Sequence, residues 1–237
     1  MRIFFIPVRK DALSNLVIIA VLLLLVVSLN LTDATAVFGS NPAKPIYQGD
    51  ADKPVIAFEC NVVWGTEFIE PMLDILRDKD VKITFFIGGE WAKDNPELLK
   101  RIAEEGHELG NHGYGHKYHS KLDFGSNQRE IKQTEEIVYK TTGIETRLFA
   151  PPYGDYNDTT VRAAESLGYK TIMWSIDTID WRRDGVSRIL ERVFKKPHNG
   201  AFVLMHPTPD TVKALPQMID ELRSRGFRIG TISEALN

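Results

Sequence analysis

The 237-residue sequence holds a single cysteine, Cys60, which excludes an internal disulfide framework and any cysteine-rich zinc module. It also lacks an excess of either charge. Its 29 basic and 32 acidic side chains give a net charge of −3, too even for the basic surface of a nucleic-acid binder. Glycine (17) and proline (12) are too scarce for a collagen-like or low-complexity chain, and no segment recurs at a fixed period as in a repeat array. An apolar content of 43% excludes disorder. What is left is a globular chain.

Long apolar runs are absent except at the N-terminus. Leu16–Val27 is unbroken apolar sequence, continued by Ser28, Leu29, Asn30 and Leu31 and preceded by Arg2, Arg9 and Lys10. Cations ahead of an apolar core hold that end in the cytoplasm and place the rest of the chain outside. Residues 1–36 therefore read as a signal peptide or a signal anchor, and the protein as extracytoplasmic, secreted or held at the membrane. The core is shorter than the ~20 residues that span a bilayer, and Ala34-Thr35-Ala36 resembles a signal-peptidase site, so both fates stay open. Cys60, in an oxidising space without a partner, is expected to be buried. Gly39, Pro42, Pro45 and Gly49 occur without periodicity, which makes 37–52 a linker and 51–237 one domain, long enough to bury its own core.

Within the domain, short β-rich runs alternate with amphipathic helices. Strands are predicted at Val55–Cys60, Ile83–Ile87, Glu108–Asn111, Arg147–Ala150, Lys170–Ser175, Ala201–His206 and Phe227–Thr231. Helices are predicted at Phe68–Lys79, Pro96–Glu105, Gln128–Thr141, Thr159–Leu167, Val186–Phe194 and Thr211–Arg225, with Gly106, Gly168 and Gly226 placed to end three of them. The alternation predicts an α/β fold of parallel strands with helical crossovers. Seven strands suggest a small or incomplete barrel, and an open doubly wound sheet meets the same pattern. In either fold the functional residues belong at the C-terminal ends of the strands.

The polar residues fall there. His112 and His116 follow the third predicted strand, Pro151-Pro152-Tyr153-Gly154 the fourth, Asp177 and Asp180-Trp181 the fifth, and His206 ends the sixth. Two histidines four apart can offer two neutral nitrogens to one zinc ion, or they can be surface or capping residues. His206, after Phe202-Val203-Leu204-Met205 and before Pro207, fits a hydrogen-bonded core histidine as well as a catalyst. Asp180 can orient an imidazole and raise its basicity, or cap the following helix. Pro151–Gly154 can be a plain turn, or can fix backbone N–H groups as an oxyanion hole.

Taken in order, His112-Gly-Tyr-Gly-His116, Arg147-Leu-Phe-Ala-Pro-Pro-Tyr-Gly154, Asp177-Thr-Ile-Asp-Trp181 and Leu204-Met-His206 resemble the second to fifth motifs of the NodB-homology polysaccharide deacetylases, carbohydrate esterase family four. The resemblance covers residues 51–237. It implies a distorted (β/α)7 barrel that uses a divalent metal, usually zinc, to remove N-acetyl groups from cell-wall glycan, peptidoglycan or a chitin-like chain. It implies His112 and His116 as metal ligands, a backbone donor from Tyr153 for the oxyanion, and His206 as general acid supported by Asp180.

The first motif departs from the family. Thr-Phe-Asp-Asp is expected at the end of strand one, the first Asp as base and the second as ligand; here the segment reads Val55-Ile-Ala-Phe-Glu-Cys-Asn-Val-Val-Trp-Gly65. One alignment sets Glu59-Cys60 on the two aspartates, a base and a thiolate. The preferred alignment sets Asn61 on the base and Val62 on the ligand, because Val63-Trp64-Gly65 and Glu70-Pro71 resemble the sporulation-type branch, which already lacks the second aspartate. The family arginine that pairs with the base is Ala150 here. Losing a carboxylate together with its cation is electrostatically coherent, since an unpaired buried Arg is costly. Glu59 and Glu67 are candidate substitute bases. The residues leave three functions open: a metal-dependent N-deacetylase with an altered centre; a silent glycan-binding protein using Trp64, Tyr114, Tyr153 and Trp181 as stacking surfaces; and a membrane-tethered scaffold.

Overall fold

A computed structural model of the chain describes residue 15, residues 17–24 and residues 44–237. The chain divides into two compact units, residues 1–42 and 43–237. In the first, residues 17–24 are helical with exposed apolar side chains, and among the described residues no helix is long and apolar enough to cross a membrane. The cleavage-like Ala34-Thr35-Ala36, and the expected linker up to residue 43, lie outside the described residues.

The second unit is a curled parallel sheet wrapped by helices, the distorted α/β barrel that the resemblance implies. Its strands are β1 (Val55–Val62), β2 (Thr84–Ile87), β3 (Glu108–Asn111), β4 (Leu148–Phe149), β5 (Lys170–Thr171), β6 (Ile176–Asp177), β7 (Phe202–Met205) and β8 (Arg228–Gly230). They run in the order β5-β4-β3-β2-β1-β7-β6, with β8 also paired to β1. Ala57 pairs with both Phe202 and Gly230, and Cys60 with both Phe85 and Met205, so β8 and β2 share one edge of β1, and β7 takes the other.

Eight strands among the described residues replace the seven predicted because the fifth stops at Thr171 and an unpredicted strand, β6, forms just past its expected end. Lys170–Ser175 does not continue as one strand: β5 and β6 become the two ends of the sheet order, and the residues between them bond elsewhere. Ile46 N–H donates to the Thr171 carbonyl, and Met173 N–H donates back to Ile46. Gln48 bridges Ala201 at the start of β7. Residues 44–49, inside the stretch expected as linker, thus straddle the seam between the two ends of the sheet.

β1 is buried at all eight positions, as a central parallel strand must be. Its alternation sorts two layers. Ile56, Phe58, Cys60 and Val62 pack outward with Met72, Leu73, Leu215 and Met218 of the helices, while Val55 and Ala57 join Phe86, Ile172 and Phe202 inside the barrel. Glu59 and Asn61 share that inward parity. Cys60 is buried, as expected for an unpaired cysteine.

The predicted helices appear within a few residues of their expected bounds: α1 (Thr66–Asp78), α3 (Pro96–Glu104), α4 (Phe124–Thr142), α5 (Asp158–Glu165), α6 (Val186–Lys195) and α7 (Pro209–Ser224). Two short ones were not expected, α2 (Gly89–Asp94) and α8 (Ile232–Leu236). Local chemistry sets their ends. The Asp123 carboxylate accepts from Ser126 N–H at the start of α4, and Asn157 and Thr160 form a reciprocal cap on α5.

Candidate active site

The C-terminal ends of β1, β3, β4, β6 and β7 open on one cleft of about 450 Å³. Its walls carry Asn61, His112, His116, Tyr153, Asp177 and His206, together with Trp64, Trp174 and Trp181. A second depression of about 430 Å³ lies at the opposite end, where β3, β4 and β5 begin; its Arg147 is already paired with Glu135 and Glu145.

His112 is buried directly after β3, and its Nδ1 lies 2.7 Å from the Ala150 carbonyl. Nδ1 therefore carries the proton and Nε2 keeps its lone pair. The His116 ring centroid is 5.2 Å away. Burial pushes the His112 pKa well below the usual histidine value; burial, then the nearby His206 and His119, pushes His116 down to about 4. Both imidazoles are neutral at pH 7, the form in which histidine ligates a metal. The loop between them needs its glycine: Gly113 has φ +73°, and a Cβ there would meet His119 Nε2 at 2.9 Å.

His206 and Asp180 form a pair on the opposite wall. His206 Nδ1 faces Asp180 Oδ1 at 2.8 Å, while Asp180 Oδ2 accepts from His206 N–H and from the Thr211 hydroxyl, each at 2.6 Å. These bonds fix the ring and turn Nε2 away from Asp180. Trp64 lies parallel to the imidazole, with ring centroids 5.6 Å apart.

Tyr153 stands on the turn after β4 with φ +60°, a left-handed backbone at a residue with a side chain. Its ring is 56% exposed, contacts His116 at 4.3 Å and stacks on Tyr118 at 4.3 Å. The next residue must be glycine, because at Gly154 a Cβ would meet Trp174 Cη2 at 2.6 Å. Trp181, also 56% exposed, completes an aromatic rim. Of the four aromatic candidates, Trp64, Tyr153 and Trp181 line the cleft; Tyr114 instead packs on Gly89.

The base region is where sequence and chemistry diverge. Asn61 lines the cleft, and its Oδ1 is buried with no hydrogen-bond partner. Val62 faces the helix layer, as does Cys60, so neither side chain reaches the cleft. Glu59 is only 1% exposed, lies inside the barrel rather than on the cleft wall, and has an unpartnered Oε2. Burial, and then the charge of Asp177, pushes its pKa well above the carboxylate range. Glu67 is exposed in the first turn of α1 and is not brought to the cleft. Ala150 is buried and touches the site through its carbonyl. Sequence reasoning assigned no role to Asp177, a cleft carboxylate whose pKa burial raises, nor to Trp174. Position after a strand end was the available signal for Asp177.

The polysaccharide deacetylase family profile matches residues 48–172, more than half of the chain, and the chain belongs to that family. A relative in Bacillus subtilis (strain 168), the uncharacterized protein YlxY, is 42% identical over 194 residues, covering 82% of this chain and 61% of its own; the chain thus spans less than two thirds of that relative. A Bacillus cereus protein named peptidoglycan-N-acetylglucosamine deacetylase is 32% identical over 191 residues, covering 78% of this chain and 70% of its own. Among solved structures, wild-type BA3943 from Bacillus anthracis, described as a family pseudoenzyme, superposes with a TM-score of 0.81 at 40% identity, over 84% of this chain and 70% of that one. A mutant of BA3943 described as having restored enzymatic activity superposes equally well, at 38% identity and over 84% and 72% of the two chains.

Proposed function

We propose that this domain binds cell-wall glycan in the cleft and that its centre for hydrolysing N-acetyl groups is impaired at the base. Asn61 carries the proposal. In a cleft that keeps the His206–Asp180 pair and two facing imidazoles, an amide stands where the family resemblance expects the carboxylate base. An amide takes no proton at neutral pH, and general-base catalysis typically contributes ~10² to 10⁴-fold. The similarity to a pseudoenzyme, and to a deacetylase acting on peptidoglycan N-acetylglucosamine, supports both halves of the proposal.

His206 is the general acid, its Nδ1 held on Asp180 and its Nε2 free to give a proton to the departing amine. The strained turn at Tyr153 presents backbone to the oxyanion. His112 and His116 are the residues to hold a divalent cation, zinc by resemblance, with the orphaned Oδ1 of Asn61 as a neutral third donor. Bound there, the cation would supply Lewis acidity toward the N-acetyl carbonyl and water. With Val62 turned to the helices, the usual third ligand is absent, and affinity should fall below that of a three-ligand catalytic zinc.

Slow hydrolysis is the second reading, and Asp177 favours it: a part-buried cleft carboxylate with a raised pKa is a better base than an exposed one. The test is acetate release from peptidoglycan or chitooligosaccharide, with and without added zinc, for the parent and Asn61→Asp. A gain of about 10² to 10⁴-fold is expected. A parent rate that Asn61→Asp lowers would overturn the assignment of Asn61 to the base position. A parent that binds no oligosaccharide would leave only a scaffold.

The domain is further proposed to work outside the cytoplasm, exported by Leu16–Val27 behind Arg2, Arg9 and Lys10, and tethered to the membrane if that segment is retained. Protease added to intact cells should digest the domain; full protection would refute export.

A further inference from the structure

We infer that Glu130 is a positioning residue that holds His116 in the geometry the site requires. This rests on the proposal that His112 and His116 together hold a cation.

His116 has φ +47°, a left-handed backbone that is strained for a residue with a Cβ and persists only where its surroundings impose it. Those surroundings are visible on both sides. Gly115 N–H donates to Glu130 Oε2 at 2.7 Å, and the Lys117 ammonium donates to Oε1 of the same carboxylate at 2.7 Å. The two neighbours of His116 are thus fastened to one side chain, which is 5% exposed and projects from α4. Charge-assisted bonds of this length are the stronger class.

The rest of the loop hangs from the same helix. Asn111 donates to the Ile131 carbonyl and accepts from Gly113 N–H, and His119 Nδ1 lies 2.6 Å from Asn127 Oδ1. Asn127, Glu130 and Ile131 are spaced three and four apart, so one face of α4 carries the whole segment from Asn111 to His119. The two imidazoles are consequently set by different elements, His112 through the Ala150 carbonyl and His116 through Glu130. Without the clamp, His116 is free to relax to a right-handed backbone, which carries its ring away from His112.

The experiment compares the parent with Glu130→Ala and Glu130→Gln, using zinc titration against a chromophoric chelator and the NMR amide resonance of Gly115. Glu130→Ala should weaken zinc binding tenfold to a hundredfold, the usual effect of removing a group that orients a ligand. The Gly115 amide should move upfield and exchange faster. Glu130→Gln keeps an acceptor for Gly115 but no charge, so it should fall between, and it carries the test if Glu130→Ala does not fold. A folded variant with lower thermal stability but parent zinc affinity would show a merely structural role and overturn the inference. If the parent itself binds no zinc, the cation proposal fails separately. Positioning is then judged by Gly115 and His116: resonances unmoved in the variants refute it, and shifts confined to the 111–119 loop support it.

Discussion

Burial of Glu59 should make the stability of this domain fall as pH rises, and Glu59→Gln should reduce that dependence. The carboxyl is fully buried, one oxygen has no partner, and burial followed by the Asp177 charge raises its pKa well above 4.5. In the unfolded chain it ionises near 4.5, so between that pH and its folded pKa the folded state binds one proton more. Stability then declines with increasing pH, at up to about 1.4 kcal/mol per pH unit. For a domain of this size that is about 3 to 5 °C of melting temperature per pH unit. Other shifted groups are common to the parent and Glu59→Gln. His107, His112, His116 and His119 are lowered from 6.5, so they cost stability only as pH falls below that value, and Cys60 is raised above 9. Asp177 is raised and acts in the same direction as Glu59, but it is present in both proteins. Urea unfolding at half-unit steps upward from pH 4.5 should show the parent losing stability relative to Glu59→Gln as pH rises. Parallel lines would refute the account.

His112→Ala should remove at least half of any bound zinc, read by elemental analysis of the purified domain; unchanged content would refute its assignment as a ligand. Asp180→Asn should leave His206 without its carboxylate partner and lower any acetate release, or the release gained in Asn61→Asp, by about 10² to 10⁴-fold. Because Asp180 also accepts from Thr211, the melting temperature should fall as well. Trp181→Ala, at an exposed rim position, should weaken chitooligosaccharide binding by about two- to tenfold in calorimetry without loss of stability.

The fold was legible where local pattern and global topology agree. Helices with long apolar stripes, such as Thr66–Asp78 and Pro209–Ser224, and the fully buried β1 accord with periodicity. The break after Thr171 was not legible, because Ile172 and Met173 are as apolar as a strand interior and their partner, Ile46, lies 126 positions away in sequence. The cleft was legible as a set of strand ends. The surroundings of Glu59 were not, since sequence does not say which neighbours a buried acid meets, nor did spacing reveal that Glu130 reaches back to Gly115. Alternation along β1 treats the two alignments of the first motif alike, with Glu59 and Asn61 both inward and Cys60 and Val62 both outward; what differs is depth, since Asn61 lines the cleft and Glu59 does not.

The same alternation bears on how activity would be regained. An aspartate at position 61 adds an anion to a region that already holds the carboxyls of Glu59 and Asp177, and Ala150 supplies no cation. Its own pKa would be raised by burial and by those neighbours, so part of its gain as a base is lost to protonation. Ala150→Arg alone places a guanidinium in a packed interior, at about 1 to 3 kcal/mol for overpacking, and offers it no new partner at Asn61. Together the two substitutions restore a carboxylate and a cation whose attraction offsets part of both burials. Acetate release from Asn61→Asp/Ala150→Arg should therefore exceed the product of the two single effects, with a coupling of about 0.5 to 3 kcal/mol in a double-mutant cycle. Independent effects that simply multiply would mean that the two positions do not interact, and that the joint loss of the carboxylate and its cation has no electrostatic cause.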